Sequence, residues 1–308
     1  MSVLSLSRIR RGLRSPNLFL REANRLYHRR FYTRPYNTDG VDVFAEDWDT
    51  LVILDACRYD MFSEQSELPG RLESRISRGS STVEFLRANV AGRDLRDTVY
   101  VTANPQLYRH REEFSPQFHD VIDVWQDDGW DEEYNTVLPE TMVEWTRTAA
   151  ERYPNKRILS HFIQPHYPFL VDEEVFEDEQ TFRCPKKAGP WHQVMTGEIS
   201  VSVEDVWQAY RATLDRTLPA VERLLSKLDG KTVVTADHGN MVGERAGPVP
   251  VTEWGHPRSI YVDQLVTVPW LVSTAGERRT ITAGDSAAMY TEGESEVVND
   301  RLNALGYK

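Results

Sequence analysis

The stretch Thr232-Val233-Val234-Thr235-Ala236-Asp237-His238-Gly239-Asn240 decides the fold. Its four β-branched residues in a row form a brief strand of the kind buried on both faces in a parallel sheet. A carboxylate and an imidazole follow at its carboxyl end, then a glycine. Upstream, Val206, Tyr210, Leu214, Leu218, Val221, Leu224 and Leu225 recur at helical spacing, which predicts a long amphipathic helix over Val203–Leu228. Gly230 is expected to end that helix and lead into the strand.

The same alternation recurs in both directions along the chain. Leu51-Val52-Ile53-Leu54, Thr98-Val99-Tyr100-Val101, Arg157-Ile158-Leu159 and Val268-Pro269-Trp270-Leu271-Val272 are further short strands, with helical patterns at Val83–Val90 and Leu138–Tyr153 between them. This predicts a largely parallel sheet, whose chemistry belongs just beyond the carboxyl ends of its strands. The polar, irregular stretch Glu173–Ser200 reads as an insertion or lid. Val297–Gly306 reads as a short helix with Gly306 as its C-cap.

Charge divides the chain in two. Residues 1–37 hold nine Arg against one Glu, leaving 27 Lys+Arg against 47 Asp+Glu in the rest of a chain whose net charge is -12. An acidic body argues against nucleic acid as a partner. The expected division is a basic helical arm over 1–40 and a catalytic domain over 41–308. In the arm, Leu18, Phe19, Leu20, Leu26, Tyr27 and Phe31 interleave with Arg21, Arg25, Arg29 and Arg30. That pattern suits either a helix packed on the body with solvated arginines or a peripheral contact with an anionic membrane surface. Two cysteines, Cys57 and Cys184, make no disulfide framework, and no 18-residue apolar run exists. A cytoplasmic location, peripheral on the inner membrane face if the arm touches lipid, is the expectation.

Asp55 ends the fully apolar run Leu51–Leu54, where a carboxylate is costly unless it is paired, binds a metal or caps a helix. Asp237 and His238 offer an oxygen and a nitrogen from one turn, a donor mix that suits Zn or Mn better than Ca or Mg. Ser80, Ser81 and Thr82 open a helix. Ser81-x-x-Glu84 reads as a capping box, and equally as a hydroxyl nucleophile at a helix N-terminus. His161 and His166, beside prolines, are poor core material. His166 and His256 are candidates to bind anionic oxygens, protonate a leaving group or hold a second metal. His28, His110, His119 and His192 read as surface or packing residues.

In this order the motifs resemble the alkaline phosphatase superfamily, and most of all its sulfatase-like branch. Asp55-Ala56-Cys57-Arg58-Tyr59-Asp60 is similar to that branch's Asp-x-x-Arg-x-Asp, and Gln164-Pro165-His166-Tyr167-Pro168-Phe169 to its Pro-His-x-Pro-Tyr. Thr235-Ala236-Asp237-His238-Gly239 with Gly243-Glu244 resembles its Asp-His-Gly…Gly-Glu. Trp254-Gly255-His256, Val268–Val272 and the ending Arg301–Tyr307 match later elements, so the resemblance spans residues 48–308. The formylglycine motif of sulfatases is absent.

The resemblance implies a three-layer α/β/α sandwich with a mostly parallel central sheet. It implies a metal-dependent hydrolase of phosphate or sulfate esters holding one or two divalent ions (Zn, Mn, Mg or Ca). The metal ligands would be Asp55, Asp237, His238 and the nucleophile itself, with His166, His256 and Arg58 at the site. Ser81 is favoured as nucleophile over Thr82 and Ser80. The substrate would be a small-molecule, glycan or lipid-headgroup ester. The alternatives are a transferase moving a phospho-group to a glycan or lipid headgroup, and a non-catalytic metal-binding scaffold.

Overall fold

Leu51, Val52, Ile53 and Leu54 are all fully buried, as a strand inside a layered sheet requires. The computed structural model describes residues 16–171, 189–284 and 295–307. Its strands are β1 (Thr50–Leu54), β2 (Arg71–Ile76), β3 (Asp94–Thr102), β4 (Gln117–Asp123), β5 (Arg157–Phe162), β6 (Gly230–Thr235), β7 (Met241–Ala246), β8 (Val251–Gly255) and β9 (Thr267–Ala275). Seven of them form one sheet in the order β2-β9-β6-β1-β5-β3-β4, while β7 and β8 form a separate hairpin. The run β6-β1-β5-β3-β4 is parallel throughout, and β9 and β2 add an antiparallel edge.

Period-two alternation sends neighbouring residues of each strand to opposite faces. Val52 and Leu54 therefore enter a core with Met142, Val143, Leu214, Val221 and Leu302, while Leu51 and Ile53 enter another with Val83, Phe85 and Leu86. Each fully buried aliphatic side chain stabilises the fold by about 1.5–3 kcal/mol. The helices Pro139–Arg152 and Val203–Leu225 cover one face and the helix Thr82–Val90 the other, which is the expected three-layer arrangement with a mostly parallel sheet.

Three boundaries differ from the sequence reading. The long helix ends at Leu225, and Gly230, at φ +92, opens β6 instead of closing that helix. The edge strands β2 and β4 were not expected, because Arg71–Ile76 and Gln117–Asp123 are polar and partly exposed and so lack an apolar run. Of the stretch 173–200, residues 173–188 lie outside the described residues, as does Cys184. The described remainder forms the short helix Pro190–Thr196, whose Trp191 stacks on Trp254.

In the arm, residues 1–15 lie outside the described residues, and Pro16–His28 is a helix. It docks on the β7–β8 hairpin through polar contacts. Arg21 Nε donates to both oxygens of the buried Glu253 at 2.9 and 2.7 Å. Asn24 pairs with both backbone groups of Val249, and His28 Nε2 meets the Gly247 carbonyl at 2.9 Å. The aromatic residues point outward: Phe19 is 69% exposed and Phe31 80%, with Leu20, Tyr27 and Tyr32 also exposed. The arm is thus packed on the body, but by its polar residues. No helix among the described residues is long and apolar enough to cross a membrane.

Candidate metal centre

β1 and β6 are neighbours in register, Ile53 beside Thr235, so the residues that follow them, Asp55 and Asp237, emerge side by side. β5 flanks β1 on the other side and sets His161 opposite Ile53. Asp55, His161 and Asp237 are fully buried, and one ligand atom from each lies within 4.8 Å of the others.

The hydrogen bonds divide each carboxylate into an anchored and a bare oxygen. Asp55 Oδ2 accepts from Asn104 Nδ2 at 2.7 Å, Tyr307 Oη at 2.8 Å and Thr82 Oγ1 at 3.3 Å. Asp237 Oδ1 accepts from the backbone N–H groups of Ala56 and His238 at 3.1 and 2.9 Å. Ala56 presents its N–H from a left-handed turn, at φ 58, and Tyr210 donates its hydroxyl to the Ala56 carbonyl. Asp55 Oδ1, Asp237 Oδ2 and His161 Nε2 are buried and have no hydrogen-bond partner.

Buried polar atoms are nearly always satisfied, so three such atoms turned to one point could together hold a cation. Electrostatics agree. Burial, and then the facing Asp237 carboxylate, push the Asp55 carboxyl well above the usual carboxylate range. Burial also pushes His161 down to about 4, so its imidazole is neutral and its Nε2 free to bind a metal while Nδ1 meets the Tyr100 hydroxyl at 2.8 Å. The residues fit a divalent metal ion, and the mix of carboxylate oxygens and imidazole nitrogen is that of zinc-type sites.

His238 sits at the rim of this group. Its Nδ1 meets the Gly239 carbonyl at 2.8 Å, which assigns the proton to Nδ1 and leaves Nε2 a lone pair. Nε2 lies 3.3 Å from Asp237 Oδ2, 3.5 Å from Asp55 Oδ1 and 3.3 Å from Thr82 Oγ1.

The three hydroxyls separate cleanly. Thr82 Oγ1 is the one that meets Asp55 and His238. Ser80 donates to Glu84 and contacts the Pro257 carbonyl. Ser81 is the N-cap residue, but its side chain makes no capping bond and its Oγ has no partner. The capping box does not form: Glu84 instead accepts from Ser80 and Ser259, tying the helix start to the segment after His256. Of the three hydroxyls, it is Thr82 that the helix start turns toward Asp55 and His238.

His166 and His256 touch, Nε2 to Nε2 at 2.8 Å. His166 Nδ1 faces the Tyr167 carbonyl and carries a proton, so His166 Nε2 accepts from His256 Nε2–H, and His256 Nδ1 is left as a buried atom without a partner. The His256 ring lies 4.6 Å from that of His238, centroid to centroid, which places the pair beside the metal group. Arg58 does not join the group. Its guanidinium donates to Asp60, Glu244 and the Asn240 carbonyl and lies 4.7 Å over the Trp207 ring, clamping the turn that carries Asp237 and His238.

His161, Asn104 and Tyr307 were not assigned to the site from sequence. His161 stands near the end of β5 between Ser160 and Phe162, and in sequence it reads only as poor core material, with no role given to it. Asn104 follows β3 by two residues, so the rule of looking beyond strand ends would have found it. Tyr307 reads in sequence as part of the closing element Arg301–Tyr307, with no role given to it at the site.

Fold and site together define an α/β protein with a buried carboxylate–imidazole group for a divalent metal at the carboxyl ends of its central strands. No family model and no curated relative matches the chain. Among solved structures, the fold is similar to the C-terminal periplasmic domain of EcEptC from Escherichia coli in complex with Zn, at 14% identity and TM-score 0.46 over 76% of this chain and 75% of that one. It is similar to the soluble domain of lipooligosaccharide phosphoethanolamine transferase A from Neisseria meningitidis, at 13% and 0.45 over 73% and 75%. It is similar also to a protein in the alkaline phosphatase superfamily from Vibrio parahaemolyticus, at 12% and 0.45 over 93% and 75%. At these identities the likeness is one of fold alone. The expected cytoplasmic location is corrected: a periplasmic domain is among the structures of like fold, and neither two cysteines nor an acidic surface is peculiar to the cytosol.

Proposed function

We propose that this protein is a metal-dependent enzyme acting on phosphate or sulfate esters through Thr82. The observation that carries the proposal is the position of Thr82 Oγ1, 3.3 Å from both Asp55 Oδ2 and His238 Nε2, on the first residue of the helix Thr82–Val90. The unpaired N–H groups at such a helix start favour an anion.

A bound divalent ion would supply Lewis acidity, lowering the pKa of the Thr82 hydroxyl and offsetting the charge of the ester. Asp55, Asp237 and His161, with His238 at the rim, would hold it. The chain's own residues carry the rest. Thr82 Oγ1 forms a bond to phosphorus or sulfur as the bond to the leaving alcohol oxygen breaks, and the proton that the Thr82 hydroxyl gives up ends on that leaving oxygen. The His166–His256 pair lies beside His238, and His256, once its Nε2–H is released from His166, would donate to the equatorial oxygens or the leaving oxygen. The covalent Thr82 ester is then released to water by a hydrolase or to an acceptor alcohol by a transferase.

One observation favours the transferase reading with a lipid or glycan headgroup substrate. The arm presents Phe19, Tyr27, Phe31 and Tyr32 outward beside the exposed Arg30, a surface suited to an anionic bilayer.

The test is a turnover screen of the metal-loaded chain on aryl phosphate monoesters, phosphodiesters, phosphonates and sulfates, beside Thr82→Ala and Asp237→Ala. Turnover that requires metal and is lost in both variants supports the hydrolase. Turnover that starts only when an acceptor alcohol is added supports the transferase. Stoichiometric metal binding with no turnover under either condition would leave the non-catalytic scaffold.

A further inference from the structure

Asp55 can offer a metal only one oxygen in the geometry described, and what selects that oxygen comes from a residue 252 positions away. Tyr307 Oη donates its proton to Asp55 Oδ2 at 2.8 Å and accepts from Asn104 Nδ2 at 3.0 Å. Asn104 gives its other amide proton to the same carboxylate oxygen, and its own Oδ1 accepts from the Gln106 N–H, which sets the amide orientation. Thr82 Oγ1 lies 3.2 Å from Tyr307 Oη. One hydroxyl thus touches both the carboxylate and the hydroxyl on which the proposed chemistry depends.

The backbone delivers this hydroxyl by helix-capping geometry. The helix Ser295–Ala304 ends with Tyr307 N–H bonded to the Leu302 carbonyl and Gly306 N–H to that of Asn303, with Gly306 left-handed at φ +76. These are the two bonds of a Schellman cap. Leu302 and Leu305 anchor the helix in the main core. The Tyr307 ring then lies flat on His166, 5.1 Å between centroids at 12°.

We propose that Tyr307 is a positioning residue of the metal centre. By occupying Asp55 Oδ2 it leaves Oδ1 to the metal, and by its contact with Thr82 Oγ1 it sets the rotamer of the nucleophile. Partners that orient a metal-bound carboxylate are worth about 10–100-fold in metal affinity. The proposal rests on the metal-centre reading.

The experiment is calorimetric titration of the metal-stripped full chain with Zn²⁺, with folding checked by circular dichroism, on four proteins: the parent, Tyr307→Phe, Gly306→Ala and Asp237→Ala. Tyr307→Phe keeps the ring on His166 and removes only the hydroxyl, and it is expected to weaken Zn²⁺ binding about tenfold. Gly306→Ala keeps the phenol but strains the left-handed turn that places it, and it should weaken binding in the same direction, so either variant suffices if the other fails to fold. Unchanged affinity in a folded Tyr307→Phe or Gly306→Ala chain, with binding lost in Asp237→Ala, overturns the positioning role and leaves the metal centre intact. Parent-like binding in Asp237→Ala overturns the metal centre and this proposal with it.

Discussion

Asp55 and Asp237 face each other at the ends of adjacent parallel strands, each with one oxygen held by hydrogen bonds and the other bare, Oδ1 on Asp55 and Oδ2 on Asp237. Two like charges, fully buried at this separation, oppose folding unless a cation lies between them.

Metal should therefore act on stability as well as on chemistry. A divalent ion at about 100 times its Kd is expected to add about 2.7 kcal/mol, and chelation to remove it, read as a shift in melting temperature. In the chelated chain, Asp237→Asn keeps the oxygen that accepts from Ala56 and His238 and deletes the repulsion. It should melt at or above the parent and gain nothing from metal. A parent that melts identically with and without chelator contradicts the site.

The hydroxyls give a sharper contrast. Thr82→Ala should lower turnover by about 10³-fold or more while Zn²⁺ still binds. Ser81→Ala should change turnover by less than about tenfold, because Ser81 Oγ contacts neither carboxylate. Comparable losses in the two variants, measured as kcat under metal saturation, would return the nucleophile to Ser81.

Arg58 is expected to behave as a clamp. Its ion pairs reach Asp60 and Glu244, which are themselves partly exposed, so solvent screening tempers their strength. Arg58→Ala should cost about 1–3 kcal/mol of stability, measured by denaturant unfolding. Arg58→Lys should recover little of this, since an ammonium cannot make the forked contact with Asp60.

The arm carries a pH response. Burial pushes His28 below its ordinary 6.5, with the Gly247 hydrogen bond opposing the shift. A histidine whose folded pKa is depressed contributes its full stability above the unfolded value and loses it as pH falls through 6.5 toward the folded pKa. The melting temperature should therefore drop between pH 7.5 and 5.5 by more in the parent than in His28→Gln. Equal drops would mean that His28 does not couple arm docking to pH.

Lipid contact through the arm is separately testable. Sedimentation with vesicles containing anionic lipid should be strong for the parent, weak at high salt, and much reduced in a Phe19→Ser, Phe31→Ser double variant whose docking contacts at Arg21, Asn24 and His28 are untouched. Binding that survives both salt and the double substitution would place the contact elsewhere.

Much of this molecule was legible in its sequence, for a physical reason. A strand buried on both faces must be apolar throughout, so Leu51–Leu54, Thr98–Val101, Arg157–Leu159, Thr232–Thr235 and Val268–Val272 each announced themselves as short runs. The rule that chemistry lies beyond their carboxyl ends then led to Asp55, Asp237 and His238. Edge strands lack that signature, and β2 and β4 went unseen. The amphipathic arm announced itself too, but not which side it would dock. Arg21 and Asn24 found partners on the β7–β8 hairpin, and the aromatic side was left outward.

By itself, then, the sequence determined the layered sheet and the two carboxylates at its heart, because burial periodicity is local and each strand carries its own pattern. Only the tertiary structure decided the rest of the site. It set His161 against Ile53 across two strands, turned Thr82 Oγ1 toward Asp55 by the path of one helix start, and brought Asn104 and Tyr307 to the same carboxylate oxygen. Those contacts join residues as many as 252 positions apart, and nothing in the neighbourhood of either partner records that they meet.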